Sequence, residues 1–544
     1  MMNIKTVRNL RRISQGFFLI LFLFLLFKTE FRGTFTEDLQ EKIRLSYPVR
    51  IFLDIDPLAA VSTAISTHSL YKPIVWSLII IIGTIIIGRF FCGWMCPLGT
   101  LNHIFSSFKS DKKREKIINT NRYKNWQSLK FYILFGMLAA AVFASLQTGL
   151  LDPISFTIRS LAISIIPGLN YIMRFILDLM YTSENSFLQF VSNLGYKIFE
   201  NNLFTFKQLY FHNSFIIGII FLTVLIFNRT ITRFWCRCIC PLGALLGIFS
   251  KLSIFGMEKD NEKCTYCDKC LINCQGADEP IAGVKWKSHE CVLCLNCQAS
   301  CPEDVIHFKF FPKQESIGAL APDLTRRRLV ISLGAGFTLF PILRATSGLE
   351  KNYNPKLIRP PGSLEEKDFL SRCIRCGECM KVCPTNAIQP SLTEAGVEGI
   401  WTPFLIMRMG YCEDTCVLCS QICPTGAIWE LDEETKLGEK DGNRIKIGTA
   451  FLDHGRCFPH AMDTPCIVCE EHCPTSPKAI HLKDVTVTNR NGEKVELRQP
   501  YIDPELCWGC GICEYMCPVK DRPAIYVTSV GETRSPDNRL LLKT

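Results

Sequence analysis

Cysteine spacing sets the chemistry open to this chain. Of its 29 cysteines, 24 fall into six groups of four. Cys264, Cys267, Cys270 and Cys274 are followed closely by Cys291, Cys294, Cys297 and Cys301. Later come Cys373, Cys376, Cys379 and Cys383; Cys412, Cys416, Cys419 and Cys423; Cys457, Cys466, Cys469 and Cys473; and Cys507, Cys510, Cys513 and Cys517. All but one of these groups end in Cys-Pro. This is the bacterial-ferredoxin run, in which three thiolates hold one cubane and the fourth reaches to a second. The six runs predict six [4Fe–4S] clusters and a protein that moves electrons. A disulfide scaffold belongs to small secreted chains, not to 544 residues with an odd cysteine count. Structural zinc pairs two short knuckles over a longer gap and lacks the third and fourth thiol. No haem is expected, because CxxCH is missing and none of the nine histidines lies inside a candidate membrane span.

Over residues 258–311, the usual crossing predicts one cluster on Cys264, Cys267, Cys270 and Cys301, and another on Cys291, Cys294, Cys297 and Cys274. Gln275 stands where proline usually follows the fourth cysteine. Ligation is intact there, and the turn is less constrained. Residues 365–535 hold the other four groups. The groups at 373 and 507 are regular and those at 412 and 457 are stretched, so similarity of spacing predicts nesting. Cys517 then completes Cys373, Cys376 and Cys379, Cys383 completes Cys507, Cys510 and Cys513, and the inner groups exchange Cys473 and Cys423. Sequential pairing, first with second and third with fourth, is the alternative. Ala387-Ile388, Ala427-Ile428-Trp429, Ala479-Ile480 and Ala524-Ile525-Tyr526 read as short strands covering the clusters.

The rest of the chain must position these modules, and it is apolar. Hydrophobic residues make up 48 % and the mean hydropathy is +0.16, high for a chain with this many polar loops. Five runs read as membrane spans: Ile13–Phe27, Ile74–Ile87, Phe131–Phe143 extending to Leu150, Phe215–Phe227 and Leu329–Leu343. Basic clusters at Lys5 to Arg12, Lys109 to Lys116, Arg229 and Arg233, and Arg326 to Arg328 all fall on one side when the spans alternate, which the positive-inside rule makes the cytoplasm. The +10 net charge is thus membrane topology, and nucleic acid is not an expected partner. The fold class expected is an α-helical membrane domain of four to five spans with an internal repeat (1–250), joined to α+β bacterial-type ferredoxin modules of two clusters (258–311) and four clusters (365–535). Thr325-Arg326-Arg327-Arg328, opening residues 325–345, reads as a twin-arginine export signal inside the chain or as a plain anchor.

The repeat is visible in the corners. Arg89-Phe-Phe-Cys92-Gly-Trp-Met-Cys96-Pro-Leu-Gly99 recurs as Arg233-Phe-Trp-Cys236-Arg-Cys238-Ile-Cys240-Pro-Leu-Gly243. Upstream of each lies an Asp-Pro pair, Asp56-Pro57 and Asp152-Pro153. Two units of the same orientation bring Cys92, Cys96, Cys236 and Cys240 together, where soft thiolates suit a further cluster, another metal or a redox-active thiol pair. The bland alternative is a helix stop with inert buried thiols. Asp56 and Asp152 are ordinary N-caps with proline at the first helical position, or proton acceptors for a quinol; His68, in the same loop as Asp56, is a further candidate of the second kind.

Residues 1–311, with four spans, two CxxxCP corners and a two-cluster ferredoxin, resemble NapH of periplasmic nitrate respiration. Residues 325–535, with an arginine-led segment and four cluster motifs, resemble NapG of the MauM/NapG ferredoxin family. The resemblance implies quinol as substrate and a chain in the inner membrane that serves the quinone pool and a periplasmic reductase or cytochrome. Its first ferredoxin would face the cytoplasm and its second the periplasm. Fusion of the halves and the extra Cys238 depart from the pattern. The CxxxCP corner also resembles NosR-type accessory donors and CcoG-type ferredoxins, which imply copper reduction at the four corner cysteines.

Overall fold

The computed structural model describes residues 4–30, 45, 50–69, 74–108, 113–199, 208–312, 326–345, 354–440, 442–488, 492–535 and 538. Thr325, Lys109 and Lys112 lie outside them.

Four helices begin with the same local device, a side-chain acceptor at the N-cap and proline in the first turn. Proline has no N–H to leave unpaired there, and the cap satisfies one of the orphan donors behind it. Asp56 accepts from Leu58 N before α2 (Pro57–Thr67), and the Cys96 sulfur accepts from Gly99 N before α4 (Pro97–Ser107). Asp152 accepts from Ser155 N before α6 (Pro153–Tyr181), and the Cys240 sulfur accepts from Gly243 N before α8 (Pro241–Phe249). In each repeat an apolar helix comes first, α1 (Ile4–Lys28) or the shorter α5 (Leu129–Val142). An apolar 14-residue helix, α3 (Ile74–Ile87) or α7 (Ser214–Phe227), separates the Asp-Pro helix from the Cys-Pro helix. The repeats interlock: α6 packs on α4, and α2 packs on α8. A polar seam is buried between them, with Thr148 donating to the Ser62 hydroxyl at 2.8 Å.

Among the described residues, two helices are long and apolar enough to cross a membrane, Thr6–Lys28 and Pro153–Tyr181. Helices α3, α5 and α7 have 14 residues each, about 21 Å at the α-helical rise against roughly 30 Å of hydrocarbon. The second long helix was not among the five expected spans. Arg159, Arg174 and Asp178 interrupt its apolar pattern, and a π-helical stretch at Ser160–Ile165 joins its two parts. Outward-facing Val75, Ile79, Ile82, Phe215, Ile219 and Ile226 leave an apolar surface that a soluble monomer rarely exposes. Helix α9 (Arg326–Ala345) lies along α5 with its Gly336 close to the Gly136 backbone, and Phe337 packs edge-on against Phe143.

The first module is closed by antiparallel β1 (Phe255–Lys259) and β2 (Ile306–Phe310). The second has three antiparallel pairs: β3 (Ile388–Pro390) with β4 (Pro403–Leu405), β5 (Thr449–Leu452) with β8 (Ile525–Thr528), and the long hairpin β6 (Ile480–Thr488) with β7 (Lys494–Ile502). Three of the four segments expected to cover clusters are therefore strands; the fourth, at Ile428, makes a single bridge to Ser363.

Candidate iron–sulfur sites

In the first module Cys264, Cys267, Cys270 and Cys301 line one cavity, as the crossed pattern predicts. Cys274 lies with Cys294 and Cys297, so the second crossed quartet also assembles. The Cys274 thiol donates to the Asp278 carboxylate at 2.7 Å, and Trp286 Nε1 holds the other oxygen at 3.0 Å. The missing proline at 275 has a structural use. Arg237 donates to the carbonyls of Gln275 and Cys274 at 3.0 and 3.2 Å, and Arg11 reaches the Gln275 side chain at 3.3 Å.

In the second module the cavities overturn nesting. Cys373, Cys376 and Cys379 surround a space closed by Cys423, and Cys412, Cys416 and Cys419 surround one closed by Cys383. Cys457, Cys466 and Cys469 meet Cys517, and Cys507, Cys510 and Cys513 meet Cys473. Sequential pairing follows from the hairpins. The β3–β4 turn returns the chain from Cys383 to Cys412, and the β6–β7 hairpin returns it from Cys473 to Cys507. The two halves join where Cys412 N donates to Cys510 O at 2.8 Å. The quartets thus stand in single file from the 373 end to the 457 end.

Burial pushes the thiols of Cys291, Cys297, Cys376, Cys379, Cys419 and Cys513 well above the ordinary thiol range, and those of Cys416 and Cys510 to about 12. A cationic iron core is what would ionise them. Among the described residues no three His, Cys, Asp or Glu side chains converge on a single-ion site. The quartets fit a cluster rather than one metal ion. Lys436 Nζ supplies a buried positive charge 3.5 Å from Cys412 Sγ while donating to the carbonyls of Glu413 and Cys416.

Both modules press a cluster loop onto a glycine of the helical domain. A Cβ on Gly93 would sit 2.0 Å from Val292 O, and one on Gly149 2.0 Å from Ile374 O. Val292 and Ile374 each follow the first cysteine of their motif. Around Gly149, Arg159 donates to Arg375 O at 2.9 Å, Arg375 donates to Leu146 O and Glu398 O, and Gly377 rests on Ile163. None of these docking residues was foreseen from sequence.

The corner cysteines do meet. Cys96 faces Cys92 and Cys236, and Cys240 faces Cys236, Cys92 and Cys96. Asn102 Nδ2 donates to Cys236 Sγ at 3.5 Å. Cys238 is buried and sits by Arg237 and Lys130. Asp56 and Asp152 are N-caps, as the plainer expectation held, and their buried carboxyls also face each other. His68 is exposed at the far end of α2 from Asp56 and takes no part in this pair.

The 4Fe-4S binding domain family matches residues 71–116 and 213–257, and a second family of the same description matches 369–389. The 4Fe-4S dicluster domain matches 464–520. The methylamine utilization ferredoxin-type protein MauM of Methylorubrum extorquens is 34 % identical over 204 residues, covering 36 % of this chain and 86 % of MauM. The chain belongs to the MauM/NapG ferredoxin-type family. The ferredoxin-type protein NapG of Escherichia coli is 33 % identical over 177 residues, 31 % of this chain and 69 % of NapG. MauM of Paracoccus denitrificans is 33 % identical over 199 residues, 36 % of this chain and 80 % of that relative. No solved structure matches. Like its relatives, this chain is a ferredoxin-type electron-transfer protein that binds [4Fe–4S] clusters.

Proposed function

We propose that the chain is a membrane-anchored electron conduit that takes electrons from quinol and delivers them to a periplasmic reductase or cytochrome. When bound, the clusters take up and release one electron each. The observation that supports this most is the docking at Gly149. It seats the innermost quartet of the four-quartet module, Cys373, Cys376, Cys379 and Cys423, directly on the helical domain. The opposite end, the quartet of Cys457, Cys466, Cys469 and Cys517, faces away along the file, with Cys466 half-exposed. Residues 1–250 form the membrane domain in this reading, 258–311 a cytoplasmic two-cluster module and 365–535 a periplasmic four-cluster module, with 24 cysteines holding six clusters. Residues 1–311 would then act as a NapH-like partner fused to the NapG-like part. Helix α9 stays in the membrane as an anchor, held by its close crossing with α5. Asp56 and Asp152, two facing carboxyls near the docked quartet, serve as the proton acceptor for the quinol. Copper reduction at the corner is less well supported, since no single-ion site forms among the described residues.

Menaquinol added anaerobically to the oxidised, purified protein tests this. Cluster reduction seen by EPR is the expected result. Clusters that stay oxidised with menaquinol but are reduced by dithionite would remove quinol as the donor.

A further inference from the structure

We propose that the helical hairpin of residues 166–199 lies flat at the lipid surface on the side of the four-quartet module, with its outer face in the acyl chains of that one leaflet. The inference rests on the reading that residues 1–250 sit in a membrane, and names a part of them that enters a single leaflet.

Both ends of the hairpin are tied to the same body. Before it, Arg159 donates to Arg375 O at 2.9 Å and Ile163 packs against Gly377. Past it, Asn386 Nδ2 donates to Tyr210 O at 2.7 Å, and His212 N donates to the Gln389 side chain at 2.9 Å. The chain thus leaves the four-quartet module and comes back to it. In between, the second part of α6 (Ile166–Tyr181) turns at residues 182–185 into a return helix, Ser186–Phe199. These have 16 and 14 residues, about 24 and 21 Å at the α-helical rise, against roughly 30 Å of hydrocarbon. So α6, although long and apolar enough in total, does not cross. The first repeat has no counterpart, since α2 ends at Thr67 and α3 already begins at Ile74. The family matches at 71–116 and 213–257 leave the hairpin out as well.

The hairpin is packed inside out. Its helices meet through small and polar groups: Gly195 rests on Leu177, Ser192 Oγ donates to Leu177 O at 2.8 Å, and Tyr196 OH donates to Asp178 at 2.6 Å. The bulky apolar side chains point outward. Leu169, Ile172, Ile176 and Leu179 form one stripe of α6 and are 45–63 % exposed. Phe187, Phe190, Leu194 and Ile198 form another on the return helix, at 46–69 %. A hairpin in water buries such stripes between its helices; small contacts inside and bulky apolar groups outside are what lipid selects. Arg174 and Asp178 fall opposite the stripe on α6, and Gln189 and Asn193 fall off it on the return helix. An upright insertion would immerse Asp178, Glu184 and Lys197 in hydrocarbon, which is costly. One apolar and one polar face fit the plane of the interface instead. Two basic residues (Arg174, Lys197) and two acidic ones (Asp178, Glu184) cancel, so apolar burial and not headgroup charge holds the arm. The apolar surface is continuous with that of α7: Ser164, just before the hairpin, rests on Gly218, and Phe215 and Ile219 beside it are exposed. Because Arg159 grips the innermost quartet's loop at the root of the same helix, an arm held at the lipid surface fixes the tilt at which the file of quartets leaves the membrane.

Photo-crosslinking of the full chain in its membrane tests this, with p-benzoylphenylalanine replacing Ile176 or Phe190 and, as controls, Gln189 or Asn193. Mass spectrometry should find phospholipid adducts at Ile176 and Phe190 and none at the controls. Protein adducts at Ile176 and Phe190, whether to a second copy or to another subunit, would overturn the proposal, as would lipid adducts at all four positions. A protease site inserted between Glu184 and Asn185 should be cut from the same face of sealed vesicles as the four-quartet module; cutting from the other face means a crossing helix and sinks the idea. Should a variant fail to fold, the unmodified chain decides. Hydrogen exchange over 166–199 should slow on transfer from amphipol into phosphatidylcholine nanodiscs, and equally in phosphatidylglycerol ones; slowing in neither, or only in the anionic lipid, would count against it. Release of the chain from membranes by alkaline carbonate would strike the membrane reading together with this one, whereas protein adducts in a chain that stays bound strike this one alone.

Discussion

Gly149→Ala should undock the four-quartet module without touching a single cysteine. The new Cβ would lie 2.0 Å from Ile374 O, 2.6 Å from its carbonyl carbon and 2.8 Å from its Cα. These are backbone atoms and cannot rotate away. A Cβ essentially never approaches closer than 3.0 Å, so the loop must retreat by at least 1 Å. Overpacking of this kind costs about 1–3 kcal/mol. The loop resists retreat, because Arg159 donates to Arg375 O and Arg375 to Leu146 O across the same seam, charged donors worth about 1.5–3 kcal/mol per hydrogen bond. The docked population should therefore fall by about 5- to 150-fold relative to the undocked one. Rapid-freeze EPR after mixing with menaquinol reads the effect as slower reduction of the outer clusters at unchanged iron content. Hydrogen exchange should show lost protection around Arg375 and Leu151. Reduction and protection indistinguishable from the parent would refute the docking argument. Gly93→Ala, with Val292 O at the same 2.0 Å, should loosen the first module and leave the second docked.

Cys423→Ala should degrade the cluster on Cys373, Cys376 and Cys379 and spare those on the 507 and 457 motifs, whereas Cys517→Ala should degrade the cluster on Cys457, Cys466 and Cys469; Mössbauer spectra of the two variants separate sequential from nested pairing. Lys436→Met removes a buried cation beside Cys412, so the midpoint potential of that cluster should fall, on the order of tens of millivolts, in an EPR redox titration. Burial pushes Glu366 up, but Arg359 and Arg534, at 2.5 and 2.9 Å, outweigh it and hold the carboxyl at about 2, below its ordinary 4.5. A folded pKa below the unfolded one stabilises fully above about pH 4.5 and is lost as pH falls toward 2. Arg534→Met should accordingly lower Tm at pH 7, and the difference from the parent should shrink between pH 5 and pH 3.

Ligand chemistry was legible in the sequence because a cluster motif is local: four thiols within about a dozen residues fix their own loop. The corner quartet was legible as well, since the repeat placed Cys92, Cys96, Cys236 and Cys240 at equal offsets. Pairing in the second module was not. Similar spacing at 373 and 507 says nothing about which loops meet; the hairpins do, and β3 with β4 makes Cys383 and Cys412 neighbours. Two long-range devices also escaped. Gly93 and Gly149 are unremarkable until the opposing carbonyl is seen. Arg89 and Arg233 stand at the same repeat position and look like membrane-edge charges, yet both are buried beside the thiols. The helix from Pro153 to Tyr181 was missed because three charged residues break its apolar pattern, although it is the longest candidate span.

Single-file order makes the outer module a series circuit. One empty quartet anywhere in the file interrupts it, so incomplete occupancies multiply rather than average, and a preparation with modest iron loss contains many silent molecules. The positions most open to damage are predictable. Each middle quartet has two partly covered ligands, Cys412 with Cys416 and Cys473 with Cys507, whereas each end quartet has one, Cys423 or Cys466. Oxygen should break the file in its middle first, and molecules that keep both end quartets would still carry no current.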